Sequence, residues 1–280
     1  MNTILSKSLE PLKERVRLAL NYSHDVYDYG IERAEYYEWY LKHSKRLQQF
    51  KNCHRGESCF IIGNGPSLNQ MDLNPLKEVH TFGLNKIYLI FEKVNLNLSY
   101  HVSVNPLVIE QSVNNFTALS CPSFLSFKSF CEYRKKQENS LNIPDNLYFV
   151  LTSSTCHFSS NIAQKINEGY TVTYVAMQIA FYMGFKQVFL IGVDHNFKAV
   201  GKPNEKQTLK GDDMNHFSPN YFANKEWQLP DLEGSELSYR IAKFNYERSG
   251  RIIYDATVDG KLDIFPKISY EEALSMCNKK

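Results

Sequence analysis

A glycine-bracketed asparagine follows an apolar run near the start of the chain's α/β pattern. The run Cys59–Ile62 is strand-like and continues directly into the turn Gly63-Asn64-Gly65-Pro66. Glycine permits positive φ and a close approach of backbone N–H groups to a ligand, and proline fixes the exit of the turn. This turn therefore suits a nucleotide phosphate or ribose. It is neither the dinucleotide fingerprint nor a P-loop, and a strand-ending turn with a purely structural role is the alternative.

Polar side chains also follow three later strand-like runs. Asn85 comes after Val79–Leu84 and Asn105 comes after Tyr100–Val104, while an aspartate ends a third run. Ligands of open α/β sheets bind outside the carboxyl ends of the strands. Uncharged amides suit a sugar or a base edge better than proton chemistry, although asparagine is also common in turns. The side chains expected at this edge are those of Asn64, Asn85, Asn105 and Asp194.

A second group of candidates surrounds two histidines in the segments Asp194-His195-Asn196 and Asp212-Asp213-Met214-Asn215-His216. Carboxylates together with imidazole fit a divalent metal ion. Under that interpretation the ligands are Asp194, Asp212, Asp213 and His216. A second interpretation makes His216 a general base, because imidazole titrates near neutral pH. A third treats these residues as the solvated charges of a loop.

Four lysines recur at every fourth position of the same region: Lys198, Lys202, Lys206 and Lys210. One interpretation is that these lysines neutralise a phosphate leaving group. The alternative is that they form a solvent-exposed surface without a binding role. Gly-x-Ser-x-Gly does not occur, and no cysteine stands in a nucleophile motif, so covalent hydrolysis is disfavoured.

The elements that must position these residues follow an α/β pattern. A helical period over Thr171–Phe185, closed by Gly184, precedes the uniformly apolar run Gln187–Asp194. Such a run after a helix is typical of a central parallel strand that is covered on both faces. The later elements expected are a helix over Ser235–Arg248 and a strand over Arg251–Tyr254.

The pattern divides the chain into two predicted domains, a helical appendage over residues 1–55 and a catalytic domain over residues 56–280. Within the appendage, Ser8–Lys51 predicts two helices with a break near Tyr29-Gly30. Residues 198–233 are polar and proline-punctuated, which predicts a long loop with little regular structure. Loops of this length tend to be lids or binding loops.

Composition and charge exclude several classes of protein. The 280 residues, 43% of them hydrophobic and 22% charged, are typical of a soluble globular protein. A formal net charge of +2 gives no bulk attraction to nucleic acid or anionic lipid. No signal peptide or membrane span is present in the sequence, so we expect a cytoplasmic protein and leave peripheral membrane association and homo-oligomerisation open. Six cysteines without a C-x-x-C pair indicate neither a disulfide framework nor a cysteine zinc site.

Five motifs over about Ser58–Asn196 carry a family resemblance. They are Ile62–Leu68, Gly83–Tyr88, Val104–Gln111, Thr171–Tyr174 with its helix, and Leu190–Asp194. In order and spacing the chain resembles the bacterial sialyltransferases of glycosyltransferase family 42, and more closely the related domain-of-unknown-function 115 family. The region around His216 and the stretch Ile253–Thr257 extend the likeness more weakly.

The resemblance implies a Rossmann-like parallel sheet, a GT-A-like variant, with the N-terminal helical appendage and a lid-like loop. It implies inverting transfer from CMP-sialic acid, or another nucleotide sugar, to a glycan acceptor on a surface-glycan precursor, with no cofactor required. By motif the nucleotide-binding roles fall on Asn64, Gly65, Asn85, Asn105 and Thr173, with Asp194 added at its strand end. The resemblance likewise implies that His216 is the catalytic base.

One departure separates the chain from the sialyltransferases. They place tyrosines just after the Gly-x-Asp strand to steady the leaving phosphate, whereas here Asn196 takes the first position and the next tyrosine is Tyr221. The first motif is also similar to that of archaeal pterin diphosphokinases. A metal-dependent diphosphotransferase and a non-catalytic nucleotide-binding module therefore stay open as alternatives.

Overall fold

A computed structural model of the chain describes residues 34, 36–137, 143–198 and 200–277. These residues belong to two units that divide between Lys42 and His43. Residues 36–39 of the first unit are helical, and the π-helix Tyr40–Ser44 that follows includes the point of division. The predicted break near Tyr29-Gly30 and most of the predicted appendage lie outside the described residues.

The second unit is built on a parallel sheet. Strands β1 to β10 are Ser58–Ile62, His80–Leu84, Tyr100–Ser103, Ser123–Ser126, Leu147–Ser153, Lys165–Asn167, Gln187–Ile191, Lys206–Thr208, Glu226–Gln228 and Ile252–Asp255. Eight of these described strands form one sheet in the order β10-β7-β1-β2-β3-β4-β5-β6, and all of its pairings are parallel. Strands β8 and β9 pair as a separate antiparallel ribbon. The predicted α/β, Rossmann-like parallel sheet is confirmed.

Helices connect most of the sheet strands. Helices α1 to α6 are Lys45–Gln48, Pro106–Thr117, Phe127–Lys135, Val172–Met183, Leu232–Arg248 and Tyr270–Cys277, and 3₁₀ turns span Pro66–Gln70, Asn74–Glu78 and Ile87–Ile90. Helix α4 packs on β1, β2 and β3 and against α5. As the sequence predicts, α4 ends at Gly184, whose φ of 93° gives the left-handed C-cap for which glycine is suited.

The central strands are covered on both faces. Phe60, Ile61 and Ile62 of β1 are fully buried, as are the residues of β7 from Val188 onward. Burial on both faces explains why these strands are continuously apolar in sequence rather than alternating. The predicted run at β1 starts within one residue of the strand, and the predicted run at β7 extends three residues past its end at Ile191.

The strand order reverses at β1. The chain runs from β1 through β2 to β6 in one direction across the sheet, and β7 then returns to the other side of β1. Ile62 pairs with Ile191 at the carboxyl ends of these two strands, and the Gly63 N–H donates to the Ile191 carbonyl at 2.8 Å. A reversal of this kind leaves a crevice at the carboxyl edge of the sheet.

The region predicted as a long irregular loop holds more regular structure than expected. It contains the β8–β9 ribbon, and α5 begins at Leu232 behind the N-cap Asp231, three residues before the predicted start. Strands of three residues are too short to show a period in sequence. No helix among the described residues combines the length and the apolar character needed to cross a membrane.

Candidate functional site

A cavity opens where β1, β2 and β7 end, and we call it the strand-end cavity. It is lined from those ends by residues 63–65, 84–85 and 192–197, from the start of α4 by residues 170–173, and from later segments by Asn215, His216, Tyr221, Phe222, Pro230, Leu232, Ser235 and Tyr239. Six predicted site residues meet here: Asn64, Gly65, Asn85, Thr173, Asp194 and His216. The seventh, Asn105, does not line the cavity.

The glycine turn is shaped by the close approach of two strand ends. The Gly65 N–H donates to the Gly192 carbonyl at 2.9 Å. A Cβ on Gly63 would lie 2.2 Å from that carbonyl oxygen, and a Cβ on Gly65 would lie 1.7 Å from Asp194 Oδ2. The expected positive φ is found instead at Gly192, at 65°, whereas Gly65 has a φ of −69°. The turn thus requires glycine because a side chain would not fit at either position, and not because of the backbone angles.

Asp194 joins the end of β7 to this turn. Its Oδ1 accepts the Ser67 N–H at 3.0 Å and its Oδ2 accepts the Ser67 hydroxyl at 2.7 Å. Burial raises the pKa of the Asp194 carboxyl, and the bonds from Ser67 oppose that shift. Both carboxylate oxygens therefore have partners within the protein, which gives Asp194 a role in holding the turn.

Asn64 lines the cavity and holds a buried acceptor. Its Nδ2 donates to the Leu84 carbonyl at 3.1 Å, which fixes the orientation of the amide because the opposite orientation would place two oxygens together. Its Oδ1 is buried and has no hydrogen-bond partner among the described residues. Buried polar atoms are nearly always paired, so this oxygen is suited to accept an N–H or O–H from a ligand.

Asn85 is positioned by a buried histidine. Asn85 has a φ of 48°, and its carbonyl lies 2.7 Å from His101 Nε2, while His101 Nδ1 lies 2.6 Å from the Ser123 hydroxyl. Burial lowers the pKa of His101 to about 4. The imidazole is therefore neutral at pH 7 and donates from Nε2 to Asn85. The Asn85 side chain accepts from the Ser103 hydroxyl at 3.1 Å.

Asn105 takes a structural role. Its Oδ1 caps α2 by accepting the N–H groups of Leu107 at 2.9 Å and Val108 at 3.3 Å. Its Nδ2 lies 3.4 Å from Gln228 Oε1 on β9. Asparagine is among the preferred N-cap residues. The motif thus places Asn105 correctly after β3, and its nucleotide contact stays a prediction.

The amino end of α4 faces the strand-end cavity. The helix begins at Val172, and the N-cap Thr171 accepts the Thr173 N–H at 3.3 Å. A helix N-terminus favours an anion such as a phosphate. None of the described residues that line the cavity is lysine or arginine. The four predicted phosphate-neutralising lysines, Lys198, Lys202, Lys206 and Lys210, are exposed and lie outside this lining.

The imidazole of His216 has the orientation and hydrogen bonding that a general base requires. Its Nδ1 lies 2.8 Å from Asp213 Oδ2, and the other Asp213 oxygen accepts the Asn215 N–H at 2.9 Å. An ionised carboxylate only accepts hydrogen bonds, so a neutral His216 carries its proton on Nδ1 and keeps a lone pair on Nε2. Asp213 is almost fully buried. From the sequence, Asp213 is a candidate metal ligand, and no motif indicates this orienting role.

A buried lysine anchors the segment Asp213–Phe222, which we call the His216 loop. Lys86 is fully buried, and its Nζ donates to the Tyr221 carbonyl at 2.8 Å and to Gln111 Oε1 at 2.6 Å. Burial lowers the pKa of Lys86 to about 7. Lys86 lies within the motif Gly83–Tyr88, but the motif does not indicate this anchoring role.

The alternative metal ligands are not brought into one set. Asp194 is bonded to Ser67, Asp213 is bonded to His216, and Asp212 is exposed. Within the described ranges, the single group of three or more candidate ligands whose atoms lie within 4.8 Å of one another consists of His54, Glu57 and His80. That group lies at the other end of the sheet.

Tyrosines reach the cavity from segments that the sequence analysis did not single out. Tyr170 lies just before α4 and Tyr239 lies within α5, and both line the cavity together with Tyr221. Burial raises the pKa of the Tyr239 hydroxyl, which bonds to Thr171 and Thr173. No motif marks Tyr170 or Tyr239, so only the fold reveals them. His195 also lines the cavity, with its Nε2 3.2 Å from Glu236 Oε1.

Comparison with known proteins identifies a matching family. Residues 34–200, more than half of the chain, match the family described as MptE-like, 6-hydroxymethylpterin diphosphokinase MptE-like. No curated protein matches the chain. Among solved structures, the MAf glycosyltransferase from Magnetospirillum magneticum AMB-1 is similar at 15% identity and a TM-score of 0.49, over 79% of this chain and 35% of that one. The chain thus spans about a third of the length of that protein.

Proposed function

The chain belongs to the MptE-like family, and from this membership we propose that it is a nucleotide-dependent transferase whose active site is the strand-end cavity. The cavity lies at the reversal of strand order, where open α/β sheets bind ligands. The amino end of α4, which lines the cavity, suits a phosphate. The unpartnered Asn64 oxygen suits a donor group of a ribose or base.

The reaction that this site supports best is inverting transfer of a sugar from a nucleotide sugar to a hydroxyl of a glycan acceptor. The observation that carries this proposal is the hydrogen bond between His216 and Asp213 at the cavity wall. Such a transfer needs a base for the acceptor hydroxyl and an uncharged polar pocket for the nucleotide. The resemblance to bacterial sialyltransferases makes CMP-sialic acid the proposed donor and a surface-glycan precursor the proposed acceptor.

In the proposed step, His216 Nε2 takes the proton of the acceptor hydroxyl. The oxygen of that hydroxyl attacks the anomeric carbon of the donor at the same time. The bond from that carbon to the phosphate oxygen breaks, and its electron pair leaves with the nucleotide. Attack opposite the leaving group inverts the anomeric configuration. Asp213 stabilises the imidazolium that forms, and the amino end of α4 favours the charge on the departing phosphate.

The description of the family favours a second candidate, transfer of diphosphate from ATP to a hydroxyl. The same base would serve, but this chemistry uses a magnesium ion to neutralise the phosphates. Asp194, which lines the cavity, and Asp213, which contacts the cavity-lining His216, already bond to Ser67 and His216. The residues present therefore fit sugar transfer better than metal-dependent diphosphate transfer.

Nucleotide binding separates the candidates. We expect CMP to raise the melting temperature more than UDP, GDP or ATP, without a metal ion, because a ligand stabilises the native state that binds it. We also expect release of CMP from CMP-sialic acid when a glycan acceptor is added. Magnesium-dependent binding of ATP with release of AMP would overturn sugar transfer in favour of the second candidate. Binding of CMP without turnover of any nucleotide sugar would indicate a non-catalytic nucleotide-binding module.

A further inference from the structure

Three candidate ligands meet at the amino ends of β1 and β2, opposite the strand-end cavity. Glu57 directly precedes β1, and His80 opens β2. Glu57 Oε2 lies 2.7 Å from His54 Nδ1 and 2.9 Å from His80 Nε2. One ligand atom from each of the three residues therefore points into a single small volume.

The backbone holds this cluster in place. The His54 N–H donates to the Met183 carbonyl at 2.8 Å, and the neighbouring Gly56 N–H donates to the Gly184 carbonyl at 3.0 Å. The Glu57 carbonyl accepts the Lys186 N–H at 2.7 Å. Two of the three residues thus lie on a segment tied to the end of α4 and the start of β7, and the third begins a sheet strand. The backbone of the cluster is therefore ordered before a ligand binds.

The ring of His54 is oriented by partners on its other side. Its Nε2 lies 2.6 Å from the Tyr100 hydroxyl, and its ring stacks on Phe185 with 4.6 Å between centroids. Metal-binding histidines commonly use the second ring nitrogen in this way, which fixes the tautomer and the ring plane. The phenol oxygen is therefore placed to accept from His54 Nε2–H when Nδ1 binds an ion.

We infer that His54, Glu57 and His80 bind a divalent first-row transition metal ion, with Zn²⁺ as the ion of choice. Two imidazole nitrogens and one carboxylate oxygen are ligands that such ions prefer. Metal–ligand distances of about 2.1 Å place tetrahedral ligand atoms about 3.4 Å apart. The distances from Glu57 to His54 and to His80, at 2.7 Å and 2.9 Å, therefore need to lengthen by about 0.7 Å and about 0.5 Å. Glu57 and His80 are 51% and 40% exposed and have room for this movement. Water completes the coordination.

The bound ion ties the segment His54–Glu57 to β2 and so stabilises the second unit by mass action. This role is independent of the proposed transfer reaction, because the cluster and the strand-end cavity lie at opposite ends of the same strands. Loss of the ion therefore lowers the melting temperature of the protein and leaves nucleotide affinity unchanged.

Calorimetric titration of the full, untagged chain with ZnCl₂ tests the site. We expect one ion per chain, a rise in melting temperature with zinc, and reversal of that rise by EDTA. His80→Ala and Glu57→Gln, both at half-exposed positions, should weaken zinc affinity at least tenfold. His157→Ala, at an exposed histidine elsewhere, and Cys53→Ser, at an exposed neighbouring thiol, should leave it unchanged. Absence of stoichiometric binding, equal affinity in His80→Ala, or loss of binding in Cys53→Ser would each overturn the assignment.

Discussion

The imidazole of His216 lies flat on the phenol ring of Tyr221, with 4.0 Å between the ring centroids and 1° between the ring planes. Tyr221 is held in turn by Lys86, which donates to its carbonyl at 2.8 Å and whose backbone N–H reaches its hydroxyl at 3.2 Å. Asp213 binds the edge of the same imidazole. The ring plane and the tautomer of the proposed base are thus both set by buried neighbours.

The first prediction concerns the base itself. Removing the imidazole in His216→Ala should lower kcat of sugar transfer by about 10²–10⁴-fold, the usual contribution of a positioned base. The dissociation constant of CMP should change little, because the nucleotide contacts are assigned to other residues. Steady-state kinetics together with calorimetry measure both quantities. His157→Ala is the matched control at an exposed position, and full activity in His216→Ala would refute the role.

The second prediction separates orientation from base strength. In Asp213→Asn the side-chain amide donates to His216 Nδ1, so the neutral imidazole carries its proton on Nε2 and loses the base lone pair there. We expect kcat to fall by about 10²-fold or more with CMP affinity retained, as when a triad aspartate is replaced by its amide. Nitrogen-15 NMR of the histidine ring reports the tautomer directly. An unchanged tautomer together with unchanged turnover would contradict this role for Asp213.

The parallel sheet could be predicted because central strands that are buried on both faces leave continuous apolar runs. The polar residues directly after those runs, such as Asn64 and Asp194, were consequently placed at the correct edge. The reversal at β1 then brings together residues more than a hundred positions apart, as the motifs implied.

Side-chain pairing within the site could not be predicted from the pattern. Asp213 suits both a metal site and an orienting carboxylate, and only its 2.8 Å separation from His216 distinguishes the two. Asn105 fits a ligand-binding motif, but its oxygen is used to cap α2. Tyr170 approaches the cavity through a turn that has no recognisable motif.

The third prediction concerns the glycine turn. Asn64→Ala removes the buried oxygen assigned to the ligand, so CMP binding should weaken by about 1–3 kcal/mol, the usual effect of leaving a buried ligand donor unpaired. Asn74→Ala, at an exposed asparagine that bonds to Asp72, is the control. Calorimetry measures both affinities. Equal CMP affinity in wild type and a folded Asn64→Ala variant would remove the turn from the site.

The fourth prediction is a pH dependence of stability. His101 has a pKa of about 4 in the folded protein, below the value of about 6.5 for an unfolded chain. Between these values the unfolded chain binds a proton that the folded protein excludes, so stability is lost as the pH falls. The contribution is fully present above pH 6.5, and its loss amounts to about 3 kcal/mol at pH 4.

His101→Gln isolates this contribution. The free energy of unfolding in urea is measured for wild type and variant, and the value for the variant is subtracted from that for wild type. This difference should be about 2–3 kcal/mol smaller at pH 4.5 than at pH 7.5, because the variant carries no titrating group at position 101. The difference between the two proteins cancels the other titrating groups. The same difference in the free energy of unfolding at both pH values would show that His101 is not held neutral in the folded state.

The last prediction concerns Tyr170, whose ring rests on Gly234 at the start of α5, where an added Cβ would lie 2.4 Å from the ring. Tyr170 is 45% exposed and lines the strand-end cavity, so we expect its ring to stack on the nucleotide base. Tyr170→Ala should weaken CMP binding by about 1–3 kcal/mol and Tyr170→Phe should not. Gly234→Ala should weaken CMP binding in the wild-type background but not in the Tyr170→Ala background, because the added methyl group acts by displacing the Tyr170 ring. In a double-mutant cycle, an equal loss from Gly234→Ala in the Tyr170→Ala background would contradict the stacking assignment.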